Sequence, residues 1–191
     1  MNIRYQLKTK TKAAHESLDL LVGQLEPFSS ATRYSVFLSA MHQLYSIYGA
    51  DVDWASQAAG LACSVSDLKS AIEFDLNGEL NSPASLDSIS DDSLRESRQW
   101  AVGYVMEGSA MGARYMATQA SSIRDDQGQQ MGNTYLEKLA ADSYQRWPKF
   151  VEALNDAQCD TAIAIESANA VFETATKIFR FGMKELATGS R

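Results

Sequence analysis

Apolar residues along this chain recur at spacings of three and four, without strand-like alternation, and the pattern predicts long α-helices throughout. The first helix is expected over 3–22, stopping near Gly23. Pro27 and Phe28 fall in the turn after it, and Ser29 or Ser30 can cap a second helix reaching Tyr48. Its inner face includes Tyr34, Phe37, Leu38, Met41, Leu44, Tyr45 and Tyr48. A less regular stretch follows Gly49 as far as Ser66, which can cap a helix over 67–76. The run 80–92, rich in Ser, Asp and Pro, reads as a loop. A long helix is then expected over 93–120, interrupted by Gly103, Gly108 and Gly112, with a polar loop over 121–132. Two more helices are expected over 133–155 and 160–187, the first bent at or ending near Pro148.

The chain has 191 residues, no internal repeat and no linker long or biased enough to divide it, so a single all-α domain over 1–191 is expected. A 45% hydrophobic content suffices for a sizeable core. No apolar run is long enough to span a membrane, and the N-terminus carries no apolar signal core, which makes the cytoplasm the expected compartment. Cys63 and Cys159 match no metal spacing and read as small apolar residues. The net charge of -7 argues against nucleic acid as a partner. That charge is unevenly spread, because Arg4, Lys8, Lys10 and Lys12 all precede the first acidic residue, Glu16. A basic segment on an acidic protein suits a local anionic ligand.

Only two histidines occur, His15 and His42. Lys8 lies two turns before His15, roughly 10 Å along a helix axis and within about 20° of the same direction. Thr11 and Asp19 flank His15 at four residues on either side. Asp19 can accept a proton from the imidazole nitrogen not used for a metal, which orients the ring and raises its basicity. An imidazole with a cation two turns away suits heme, which offers iron to the one and propionates to the other. The same residues also fit an amphipathic helix with ordinary surface charges. His42, between Met41 and Leu44, has no neighbouring ligand at metal spacing and reads as structural.

The segment Gly103-Tyr104-Val105-Met106-Glu107-Gly108-Ser109-Ala110-Met111-Gly112 carries three glycines in a helical context. Each costs about 1 kcal/mol relative to alanine. Gly108 and Gly112 share a face, and two readings stand equally: close packing of another helix, or close approach of a flat ligand to bare backbone under a kink.

Together the segments Leu7-Lys8-Thr9-Lys10-Thr11-Lys12-Ala13-Ala14-His15-Glu16-Ser17-Leu18-Asp19 and 104–112 resemble the proximal and distal helices of heme oxygenase, in its bacterial, bacteriophytochrome-associated, biliverdin-forming subgroup. A looser match extends to Ala170-Val171-Phe172 and Ile178-Phe179. The resemblance implies a helical bundle with heme between a proximal and a kinked distal helix. It implies His15 as the iron ligand, with Asp19 and Thr11 beside it and Lys8 on a propionate. Gly108 and Gly112 would approach the distal face, with Ser109 where animal-type enzymes carry an aspartate that orders water. Phe172 would be a pocket aromatic, Tyr104 would reach the heme edge, and Arg146 and Lys149 would supply further propionate contacts, while Glu107 or Arg114 would serve proton delivery.

The implied activity is oxidative opening of heme, both cofactor and substrate, at a meso carbon. Biliverdin, carbon monoxide and ferrous iron would form from O2 and electrons of an external donor, a ferredoxin or a flavin reductase. A bacteriophytochrome accepting biliverdin is the partner the subgroup suggests. The alternative is a heme-binding or heme-delivery protein on the same fold, without turnover. A diiron oxidase would need Glu-x-x-His pairs, and neither histidine follows a glutamate by three residues. A helical interaction module without a ligand leaves the glycine-rich segment and the basic first helix unexplained.

Overall fold

Asn2 starts the first helix, α1 (Ile3–Lys10), by accepting a hydrogen bond from the Tyr5 amide at 3.2 Å. The structure is a computed structural model and describes residues 2–62, 64–78 and 92–189. The expected first helix breaks at Thr11, whose backbone (φ -102°, ψ 0°) separates α1 from α2 (Lys12–Leu25). Gly23 does not end that helix; Glu26, in the left-handed region at φ 48°, does. Ser30 caps α3 (Ala31–Ala58) through the Arg33 amide. This helix runs ten residues beyond Tyr48, because Gly49 is a packing site and not a stop. A Cβ there would stand 2.8 Å from Val65 Cγ1.

Ser64, not Ser66, caps α4 (Val65–Asp75) by accepting from the Asp67 amide. Cys63 and most of the expected loop 80–92 lie outside the described residues. The long helix expected over 93–120 appears as α5 (Asp92–Ser109), a 3-10 turn (Ala110–Gly112) and α6 (Ala113–Ala120). The expected helix over 133–155 is two helices, α7 (Thr134–Ala140) and α8 (Ser143–Asp156). They part at Asp142, in the left-handed region at φ 54°, and Pro148 sits inside α8 without ending it. Asp160 caps α9 (Thr161–Thr188) through the amides of Ala162 and Ile163.

Helices α3, α5 and α9 form the centre, each packed on the other two. Their interior holds Tyr34, Phe37, Leu38, Val102, Met106, Val171 and Phe179. A second apolar cluster joins α1 and α8 to this centre through Leu7, Trp100, Phe150 and Leu154. Helix α7 packs on α4 and α6. Among the described residues there is no strand, only an isolated bridge between Arg124 and Gln130, and no helix is long and apolar enough to cross a membrane.

Helix α2 is the exception to this burial. It packs on α9 and meets α1, and has no comparable packing against α5, the 3-10 turn or α6. Leu25 is its one buried residue, while Leu18, Leu21 and Val22 are partly covered and Leu20 is 70% exposed.

Candidate functional site

His15 lies in the first turn of the poorly covered α2. Its Nδ1–H donates to Asp19 Oδ2 at 2.8 Å, one turn on. Both side chains are more than half exposed, so the pair adds little stability. Its effect is on the ring. With Nδ1 protonated toward a carboxylate, the neutral imidazole carries its lone pair on Nε2, which has no partner among the described residues. Phe172 of α9, itself buried, meets the imidazole edge-on with centroids 5.6 Å apart and planes at 68°. One ring nitrogen is thus held, one ring edge is backed, and one nitrogen is free.

The glycines of the second segment divide. Gly103 is filled from outside: a Cβ there would stand 2.6 Å from Ala55 Cβ and 2.9 Å from Phe150 Cζ. It is a helix-packing glycine, joining α5 to α3 and α8. Gly108 and Gly112 are not. At Gly108 a Cβ would meet only Trp147 of α8, at an ordinary 3.6 Å, and at Gly112 only Met116 one turn along, at 3.8 Å. The reading of these two as packing glycines therefore fails. The 3-10 turn, Ala110–Gly112, begins two residues after Gly108 and ends on Gly112, so the regular α-helix is interrupted at this pair.

Burial raises the pKa of the Tyr104 phenol on α5, and the positive charge of Arg4 on α1 opposes the rise. At the far end of α2, Gly23 shares an open hollow of about 550 Å³ with Gln119 and Ser122. Between these points α2 has no packing against α5, the 3-10 turn or α6 comparable to its packing on α9.

Among solved structures, the heme oxygenase of Neisseria meningitidis, determined with NO and CO bound, matches this chain with a TM-score of 0.72. Identity is 23%, and the match covers 95% of this chain and 92% of that one. The chain has the heme oxygenase fold. No protein-family model and no curated protein matches it, so the likeness rests on shape.

Within this heme oxygenase fold the expected residues separate into those brought together and those turned elsewhere. His15, Asp19 and Phe172 form one group, and Tyr104 and Gly108 form another around Trp147. Lys8 and Lys149 are both exposed and carry no ion pair to a described residue. Lys8 stands across the Thr11 break from His15, so the two do not share one straight helix face. Thr11 is a correction. It is buried, with its hydroxyl donating to the Leu7 carbonyl at 2.8 Å, and has turned inward where the helix breaks.

Arg146 is the second correction. Its Nε donates to Glu107 Oε2 at 3.3 Å, and its terminal nitrogens donate to the carbonyls of Ala141 (2.7 Å) and Leu139 (3.2 Å). A guanidinium spent on the end of α7 and a buried carboxylate is not free for a propionate. Glu107, 4% exposed, is equally committed and does not serve as an open proton relay. Ser109 is exposed, and its hydroxyl donates to the Met106 carbonyl at 2.6 Å, which leaves its lone pairs for water. Arg114 is exposed and lines a separate hollow with Tyr144 and Gln145. His42 is structural, as expected: buried on α3, it bonds through Nε2 to Glu73 Oε1 of α4 at 3.0 Å.

Two neighbours of the site escaped the sequence reading. Trp147, between Arg146 and Lys149 in the sequence, has no motif to mark it, yet its ring reaches Gly108 and packs on Tyr104 at 5.7 Å. Arg4 was counted only as charge. Its Nε is buried without an acceptor, and its charge acts on the Tyr104 phenol.

Proposed function

We propose that this chain is a heme oxygenase of the bacterial biliverdin-forming type. The observation that carries the reading is the pair of glycines, Gly108 and Gly112, which no neighbour packs more closely than ordinary contact, while Gly103 in the same helix is filled. A free imidazole nitrogen is offered by the underpacked helix α2. Those residues fit a porphyrin: a nitrogen donor on one side, backbone without side chains on the other, and cations at the edge.

Heme, when bound, supplies a redox-active iron and is also the substrate, opened to biliverdin with release of carbon monoxide and ferrous iron at the expense of O2 and external electrons. The chain's own residues do the rest. His15 would present Nε2 to the iron, with Asp19 fixing the tautomer and Phe172 the tilt of the ring. Gly108 and Gly112, without side chains, would let the ring approach the backbone closely beside the 3-10 turn. Lys8 and Lys149 would hold propionates. Tyr104 has a hydroxyl with no partner among the described residues and would reach the ring edge. Ser109 Oγ, its own proton on the Met106 carbonyl, would accept a hydrogen bond from water and help hold a proton source near the roof. The electron donor would be a ferredoxin or a flavin reductase, and a bacteriophytochrome the acceptor of biliverdin.

The test is to add hemin with ascorbate or a ferredoxin system under air and to identify the pigment by chromatography. Loss of the Soret band with appearance of biliverdin is expected. A heme complex whose spectrum persists through reduction and aeration would make the chain a carrier and overturn the reading.

A further inference from the structure

We infer that Trp147 is a specificity-determining residue, a rigid end wall that sets how a porphyrin is seated in its own plane and so which meso carbon meets oxygen. This rests on the proposed heme oxygenase reading. Along the bare face of the distal segment the two glycines are not equivalent. The Trp147 ring carbons Cη2 and Cζ3 stand 3.6 and 3.7 Å from the position of a Cβ at Gly108, whereas nothing from another helix approaches Gly112. A flat ring under this segment is therefore stopped at the Gly108 end and free at the other.

The wall is held firmly. Trp147 stacks on Phe150 with planes 10° apart and leans on Tyr104 at 44°. Phe150 is fully buried, with its ring tip against Gly103. One residue before Trp147, Arg146 bonds to Glu107, one residue before Gly108. Adjacent positions on α8 thus grip adjacent positions on α5, through a buried ion pair and an aromatic edge in register. Rotation of a porphyrin about its iron axis changes which vinyl, methyl or propionate substituents press on a given wall, so a fixed indole edge at one end favours one rotation over others. Loss of one aromatic contact shifts such a preference by roughly two- to tenfold.

The test compares wild type with Trp147→Leu and Trp147→Phe. Two readouts are followed: the heme-methyl proton shifts of the ferric cyanide complex, which report seating without turnover, and the biliverdin isomers formed under air. A second set of methyl resonances and a redistribution of isomers are expected in both variants, with hemin still bound. Wild-type methyl shifts and a wild-type isomer pattern in both would overturn the inference. Should Trp147→Leu fail to fold, Trp147→Phe decides, because it can keep the stacking on Phe150 and gives up only the carbons over Gly108. If wild type binds hemin but forms no biliverdin, the enzymatic reading fails, and the methyl shifts still decide whether Trp147 sets the seating.

Discussion

Replacing the three glycines of the distal segment by alanine, one at a time, separates two uses of a helical glycine that look alike in sequence. Alanine is favoured over glycine in a helix interior by about 1 kcal/mol. At Gly108 the new methyl would meet Trp147 at 3.6 Å and at Gly112 the flexible end of Met116 at 3.8 Å, both ordinary contacts. Neither costs packing energy, so each variant should gain about 0.5–1 kcal/mol, and for a chain of this size melt about 1–4 °C higher. Gly112, in the 3-10 turn, should lie at the lower end. At Gly103 the methyl would stand 2.6 Å from Ala55 Cβ and 2.9 Å from Phe150 Cζ, neither of which can yield cheaply in a buried cluster. Overpacking of this kind costs about 1–3 kcal/mol and outweighs the propensity gain, so this variant should melt lower. Hemin affinity should follow the opposite order. A methyl on the bare face holds the ring away from the backbone, and Gly108→Ala and Gly112→Ala should bind at least about tenfold more weakly, some 1.4 kcal/mol. The assays are thermal unfolding followed by circular dichroism and hemin titration followed at the Soret band. A Gly108→Ala or Gly112→Ala variant that is destabilised, or that binds hemin as tightly as wild type, would refute the reasoning.

Two further outcomes follow from buried groups. Arg146→Ala leaves the Glu107 carboxylate, 4% exposed, without its partner, and should destabilise the protein by about 3 kcal/mol, whereas the double change with Glu107→Leu should cost less than the two single changes added, as urea unfolding can show. Additive losses would mean that the pair does not couple α5 to α8. Burial pushes the Cys159 thiol up to about 11 from 9.0. Its folded pKa is the higher, so its contribution is whole below pH 9.0 and is lost as pH rises toward about 11. Stability should therefore fall more steeply over that range in wild type than in Cys159→Ala; equal slopes would contradict the burial effect.

The sequence carried the helical class, the His15–Asp19 pair at one-turn spacing and the interruption of the distal segment at its glycines, because each is written in residues close together in the chain. What it concealed depends on partners far away. Gly103 and Gly108 cannot be told apart until Phe150 and Trp147 are placed against them. Gly49 looks like a helix stop, and only the approach of Val65 shows that it admits a neighbouring helix. Arg146 looks like a free cation, and only the fold brings Glu107 and the end of α7 to it. Thr11 looks like part of a continuous helical face until its hydroxyl is found bonded inward on Leu7.

In a heme complex of the proposed kind His15 is the side chain that meets the iron, and the ferric hemin complex of His15→Ala tests this most directly. With wild type and His42→Ala as references, the spectrum of an imidazole-ligated heme should be absent from the His15 variant alone and should return when free imidazole is added. An unchanged imidazole-ligated spectrum in His15→Ala, before any imidazole is supplied, would contradict the account.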